Sequence, residues 1–115
     1  MPFFRLETNL PKSKIPDDFV SETTKLLGTA LGKPREYCVA AVIPDVKMSW
    51  GGTDGPCGVA KLLSIGKLGI QENKKYAASL YEHVEKSLGI PKDKLYIEFV
   101  DVGPANMGFN GTTFH

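Results

Sequence analysis

A chain of 115 residues is a single domain, 1–115, long enough to bury a core without staples and too short for two ordinary cores. Its 14 Lys and Arg against 13 Asp and Glu give a formal net charge of +1, so nothing electrostatic points to nucleic acid or an anionic membrane as the main partner. Two cysteines, Cys38 and Cys57, are too few for a disulfide scaffold or a four-ligand zinc site. No apolar run approaches the ~20 residues of a membrane span, and the leading residues lack the basic, apolar and cleavage regions of a signal peptide. A cytoplasmic protein is expected; if it acts outside cells, it must leave by a route that the sequence does not encode.

Phe4, Leu6 and Thr8 alternate with Phe3, Arg5 and Glu7, which predicts a strand over 2–8 ending before Asn9 and Pro11. Phe19, Val20, Thr23, Leu26, Leu27, Ala30 and Leu31 recur at three- and four-residue spacing between Asp17-Asp18 and Gly32, which predicts an amphipathic helix. The Val- and Ile-rich stretch 37–43 reads as a strand closed by Pro44-Asp45, and the turn formers of 50–56 make a loop. A strand over 58–65 follows. The next helix has the stripe Tyr76, Ala77, Leu80, Tyr81, Val84 and Leu88 and stops at Gly89; a strand over 95–102 and a turn or short hairpin around Asn110-Gly111 complete the chain.

The two halves match. Leu31-Gly32-Lys33-Pro34-Arg35-Glu36 aligns with Leu88-Gly89-Ile90-Pro91-Lys92-Asp93, and the offset of 57 (88 − 31) carries the first strand onto the third. Two βαβ copies predict an α/β fold, a four-stranded mixed sheet with both helices on one face. Residues 37–43 and 95–102 are apolar on both sides, so the second face is expected to be covered by other subunits of a closed symmetric oligomer.

Pro2 is the most informative position for chemistry. A chain that begins Met-Pro normally loses its methionine, and the proline nitrogen then becomes a secondary amine. A free α-amine titrates near 8, burial or a neighbouring cation lowers it, and a base neutral at physiological pH suits proton abstraction beside a carbonyl. Lys33, after the helix-ending Gly32, is a candidate to hold a carboxylate or enolate oxygen, where the second copy has Ile90. Both also have plain structural roles: proline is tolerated at a strand start, and a lysine after a helix end complements its dipole. Tyr37, Tyr96 and Phe114 are candidates for an aromatic wall beside a planar ligand. The 50–56 loop lacks phosphate-loop spacing, His83 and His115 lack partners at metal spacing, and Ser64 has no nearby base for a hydrolase triad.

Met1-Pro2 leading a strand, Gly32-Lys33-Pro34, Ser64-Ile65-Gly66-Lys67 and the ending Gly108-Phe109-Asn110-Gly111-Thr112-Thr113-Phe114 give the chain a full-length resemblance. Asn9-Leu10-Pro11, Gly51-Gly52-Thr53 and Pro56-Cys57 add to it. The chain resembles the macrophage migration inhibitory factor family of the tautomerase superfamily, and is less similar to D-dopachrome tautomerase, particularly at its C-terminus. The resemblance implies a homotrimer whose sheets wrap into a barrel and a cofactor-free keto–enol tautomerase of phenylpyruvate-like 2-keto acids and dopachrome-type compounds. It assigns Pro2 as the catalytic base, with substrate contacts from Lys33 and the Ile65 backbone of one subunit and from Tyr96 and Glu98 of its neighbour. It also implies a cytokine secreted without a signal peptide and acting through a receptor of the class II invariant-chain type. The family's members thus leave two functions open here: an enzyme, or a signalling ligand with a vestigial pocket.

Two departures from the family stand out. Position 98, often asparagine, is Glu98, which is expected to repel an acidic ligand or pair with Lys33, and to raise the Pro2 pKa. The Cys-x-x-Cys of some relatives reads Cys57-Gly58-Val59-Ala60 here, with no second thiol for redox work.

Overall fold

The computed structural model describes all 115 residues. Alternation in the first segment becomes β1 (Pro2–Thr8), which buries Pro2, Phe4, Leu6 and Thr8 on one face and turns Phe3, Arg5 and Glu7 to the other. In α1 (Phe19–Leu31) the buried stripe is Phe19, Thr23, Leu27 and Leu31. Gly32 ends the helix at φ 64°, a left-handed position that suits a residue without Cβ, and its N–H donates to the Gly28 carbonyl.

The strand predicted over 37–43 starts late. Arg35–Tyr37 winds as a short 3-10 turn in which the Tyr37 N–H donates to the Pro34 carbonyl at 3.0 Å, and β2 is Val39–Ile43. Pro34, with φ −59°, is already set for the turn, so local chemistry overrides the strand tendency of Tyr37. β3 (Gly58–Ser64) and β4 (Leu95–Asp101) each stop one residue short of the predicted end. α2 (Ile70–Leu88) buries Tyr76, Leu80, Val84 and Leu88, with Ala77 and Tyr81 half-buried beside them. The tail folds back as β5 (Gly108–Phe109) and β6 (Thr112–Thr113), an antiparallel pair around Asn110 and Gly111, whose φ values are 53° and 81°. Two successive positive φ angles are what a two-residue hairpin of this hand requires.

The sheet order is β2-β1-β3-β4, parallel within each βαβ copy and antiparallel where β1 meets β3. The predicted repeat is therefore present as two halves side by side. Phe4, Leu6, Ala60 and Leu62 from the inner strands pack with Phe19, Leu27, Leu80 and Val84 from the two helices, which lie on one face.

The other face is open. Its apolar side chains lie where the outer strands predict them: Val39 on β2 and Tyr96 on β4 are 54% and 68% exposed. The middle of this face differs. Arg5, Lys61 and Glu98 stand in one row across the sheet, with ion pairs of 3.8 Å from Arg5 to Glu7 and from Lys61 to Glu98. The open face is thus mixed, with charges along its middle.

Candidate active site

The site forms where three chain segments end together. Pro2 opens β1 opposite Ser64, the last residue of β3, so Ile65 emerges beside it; Lys33 follows the cap of α1. The Pro2 side chain is fully buried. The Lys33 ammonium reaches the Ile65 carbonyl at 3.5 Å, the long limit of a hydrogen bond, so it is held in place yet free to exchange this carbonyl for a stronger anionic acceptor. The backbone N–H of Lys33 donates to the Gly28 carbonyl at 3.1 Å, which fixes its base to the helix end.

A cleft of about 340 Å³ adjoins them, lined by Met1, Lys33, Ile65, Tyr37, Phe109 and Phe114 among others; Pro2, buried next to Met1, is not itself part of the lining. That volume falls in the ~300–1,000 Å³ range of small-molecule sites. Phe109 stacks on Phe114 with ring centres 5.4 Å apart, and Tyr37 meets Phe109 edge-on at 5.7 Å. The predicted aromatic wall is therefore Tyr37 with Phe109 and Phe114. Phe109, Pro34 and Pro104 are lining residues that sequence reasoning did not assign to the site. The Asn110-Gly111 turn carried the signal for Phe109, because a two-residue hairpin returns the chain beside it and sets Phe114 against its ring.

The electrostatics favour a neutral amine. Burial first, and then the Lys33 ammonium, hold the terminal α-amine below its ordinary range, with an opposing influence from Cys38. Here the amine belongs to Met1; with that residue removed it passes to the more deeply buried Pro2. Burial keeps the Cys38 thiol itself protonated by raising its pKa.

Tyr96 and Glu98 lie elsewhere. Asp101 pairs with Ser64 near the cleft, and Tyr96 is five residues back along β4 (101 − 96), about 17 Å at ~3.3 Å per residue. Both side chains stand on the open face, where Glu98 pairs with Lys61 and not with Lys33. Within one chain Tyr96 is thus separate from the wall formed by Tyr37 and Phe114.

The remaining candidates are structural. Fully buried Cys57 is tied through its backbone: its N–H donates to the Asn9 side chain at 2.9 Å and its carbonyl accepts from the Thr8 hydroxyl at 2.7 Å. His83 stacks on Phe19 and bonds Thr23 between the helices. No group of three or more His, Cys, Asp and Glu side chains gathers at metal-binding distance, and no helix is long and apolar enough to cross a membrane.

Two βαβ copies forming a mixed four-stranded sheet, with both helices on one face, define the tautomerase fold. A solved macrophage migration inhibitory factor from Trichinella spiralis superposes with a TM-score of 0.95 at 38% identity, covering 97% of this chain and 99% of that one. The homologue from Prochlorococcus marinus gives 0.91 at 29% identity, covering 98% and 99%. The family model described as macrophage migration inhibitory factor (MIF) matches residues 1–115. The chain is 45% identical over 114 residues to macrophage migration inhibitory factor of Xenopus tropicalis, covering 99% of each. It belongs to the macrophage migration inhibitory factor family, and this membership supports an isomerase of the tautomerase class.

Proposed function

We propose that the protein is a keto–enol tautomerase of phenylpyruvate-like 2-keto acids and dopachrome-type compounds, with Pro2 as general base once Met1 has been removed. The burial of Pro2 directly after Met1, which lines a cleft together with Lys33, carries this reading. In the proposed reaction the neutral Pro2 amine takes a proton from the carbon beside the carbonyl, and the electron pair of that C–H bond moves onto the carbonyl oxygen to give an enolate. Lys33 holds the acid's negative charge, and Tyr37, Phe109 and Phe114 frame the ring. Protonated Pro2 then gives its proton to the enolate oxygen, which completes the enol and regenerates the neutral amine, so protons and electrons balance without a cofactor.

Tyr96 and Glu98 join the cleft from a neighbouring copy in a homotrimer. Their distance from Pro2 of the same chain and the exposure of Tyr96 on an edge strand support this arrangement.

Phenylpyruvate turnover tests the assignment, on material whose N-terminus is verified by mass. Pro2→Gly replaces the secondary amine with a primary one and loses the ring, and is expected to reduce kcat about 100-fold or more with the assembly intact, the scale of general-base catalysis. Wild-type turnover in that variant overturns the assignment.

The relatives' name favours a second reading, a ligand made in the cytoplasm, exported without a signal peptide and bound by a class II invariant-chain type receptor. Folded Pro2→Gly protein is expected to retain receptor binding. Absence of binding by the unmodified protein removes this role.

A further inference from the structure

The inner wall of the cleft is fixed by its own hairpin, whereas Tyr96 is the second residue of an edge strand with its side chain on the open face. Tyr76 and Tyr81 are each anchored by a hydroxyl that donates to a backbone carbonyl at 2.6 Å. Tyr96 is instead held through its ring: Trp50 lies against it with centroids 4.6 Å apart and planes inclined by 37°. Trp50 is the chain's one tryptophan, and the loop that carries it is built to hold it still.

Trp50-Gly51-Gly52-Thr53 is a tight turn. Its central residues have φ values of 60° and 85°, positions that glycine occupies without strain. The Trp50 carbonyl accepts from both the backbone N–H of Thr53, at 3.1 Å, and its hydroxyl, at 2.7 Å. The Ser49 hydroxyl oxygen accepts from the Gly52 N–H at 3.1 Å. Three hydrogen bonds and two glycines thus set where the indole stands, and the indole limits where the Tyr96 ring can go.

We propose that Trp50 is a positioning residue for substrate binding, holding Tyr96 of one copy in the orientation in which it meets a planar acid in the cleft of the next. The inference rests on the tautomerase reading and on Tyr96 reaching a neighbouring site. It adds a residue outside the cleft, acting through a ring contact. An orientation held before substrate arrives spares the ordering cost on binding, so its loss falls on affinity and not on the proton transfer at Pro2.

The test is a cycle of Trp50→Ala, Tyr96→Ala and the double variant, with phenylpyruvate as probe. Trp50→Ala is expected to raise KM roughly three- to tenfold, the factor that an aromatic pair contact is worth, with kcat within about twofold. Trp50→Phe, which keeps a ring, should restore most of the loss, and the double variant should bind no more weakly than Tyr96→Ala alone. An unchanged KM in Trp50→Ala, or multiplying effects in the double variant, overturns the proposal. If Trp50→Ala fails to assemble, Trp50→Leu replaces it, with the same outcomes deciding.

Calorimetric titration of phenylpyruvate repeats the cycle in the Pro2→Gly background, reading Kd without turnover. Full turnover by Pro2→Gly would end the assignment of Pro2 as the base yet leave the Trp50 effect on Kd to be read. Absence of phenylpyruvate binding by the wild-type protein would overturn both.

Discussion

Lys33 shows how far a single residue could be understood before folding. Its position after a helix-ending glycine suited a dipole partner equally well; what separates the roles is the Ile65 carbonyl at 3.5 Å, which turns the ammonium toward Pro2. Lys33→Met is expected to raise KM for phenylpyruvate by about tenfold or more, since a hydrogen bond to a charged group is worth ~1.5–3 kcal/mol. It should also move the acid limb of the pH–rate profile. The amine must be neutral to act, Lys33 lowers its pKa, and without the cation that limb shifts to higher pH. An unmoved limb would place the ammonium outside the amine's field. Glu98→Asn should act oppositely in the assembled protein, lowering KM and shifting the acid limb downward; no change in either means that Lys61 already absorbs the carboxylate's charge. Pro2, Lys33, Tyr37 and Phe114 were legible as residue types. Phe109 was not singled out, because the Asn110-Gly111 turn predicts the hairpin but where that hairpin docks against the cleft is set by tertiary packing. No single-chain reading could bring Tyr96 to Pro2, since the fold holds them at opposite ends of the sheet.

At the scale of elements, periodicity located both helices and all four main strands. The failure at Tyr37 came from a proline-led turn competing with a β-rich composition. His83, on α2 beside the apolar stripe, has a role that sequence left open. The Thr23 hydroxyl donates its one hydrogen to the Phe19 carbonyl at 2.7 Å, so at 2.8 Å it accepts from His83 Nε2–H, which assigns the tautomer. The imidazole stacks on Phe19 with ring centres 5.1 Å apart and planes 7° from parallel. Burial lowers its pKa, with Glu22 opposing. A depressed histidine favours the folded state in its neutral form, so this stabilisation is present above the unfolded pKa near 6.5 and is lost as pH falls through the folded value. Thermal melts from pH 7.5 down to 5 should therefore show a steeper loss of Tm in the wild-type protein than in His83→Phe, which keeps a ring on Phe19 and cannot titrate. Parallel curves would mean that the histidine is equally protonated in both states.

The whole molecule has two unpaired sheet edges, β2 and β4, and an open face with apolar margins and a charged middle. Edges of this kind invite pairing with further copies, and closure into a ring would end it. Val39, exposed on β2, provides the probe: Val39→Glu is expected to dissociate the assembly in light scattering and, by withdrawing Tyr96 from neighbouring clefts, to raise KM. Retention of the wild-type mass would place the contact elsewhere. The 57-residue repeat made the sheet's architecture legible. Charges on β1 and β3 moderated the expected apolar face because the outer strands alone had suggested it.

Met1 and Phe114 border the same cleft, so the head and tail of the polypeptide converge. A short linker could circularise such a chain with little demand on its backbone, but would turn the leading nitrogen into an amide. With Pro2 as the proposed base, the product is expected to fold yet lose turnover, and an affinity handle fused at the front to have the same effect. Labels for this protein therefore belong in an internal loop.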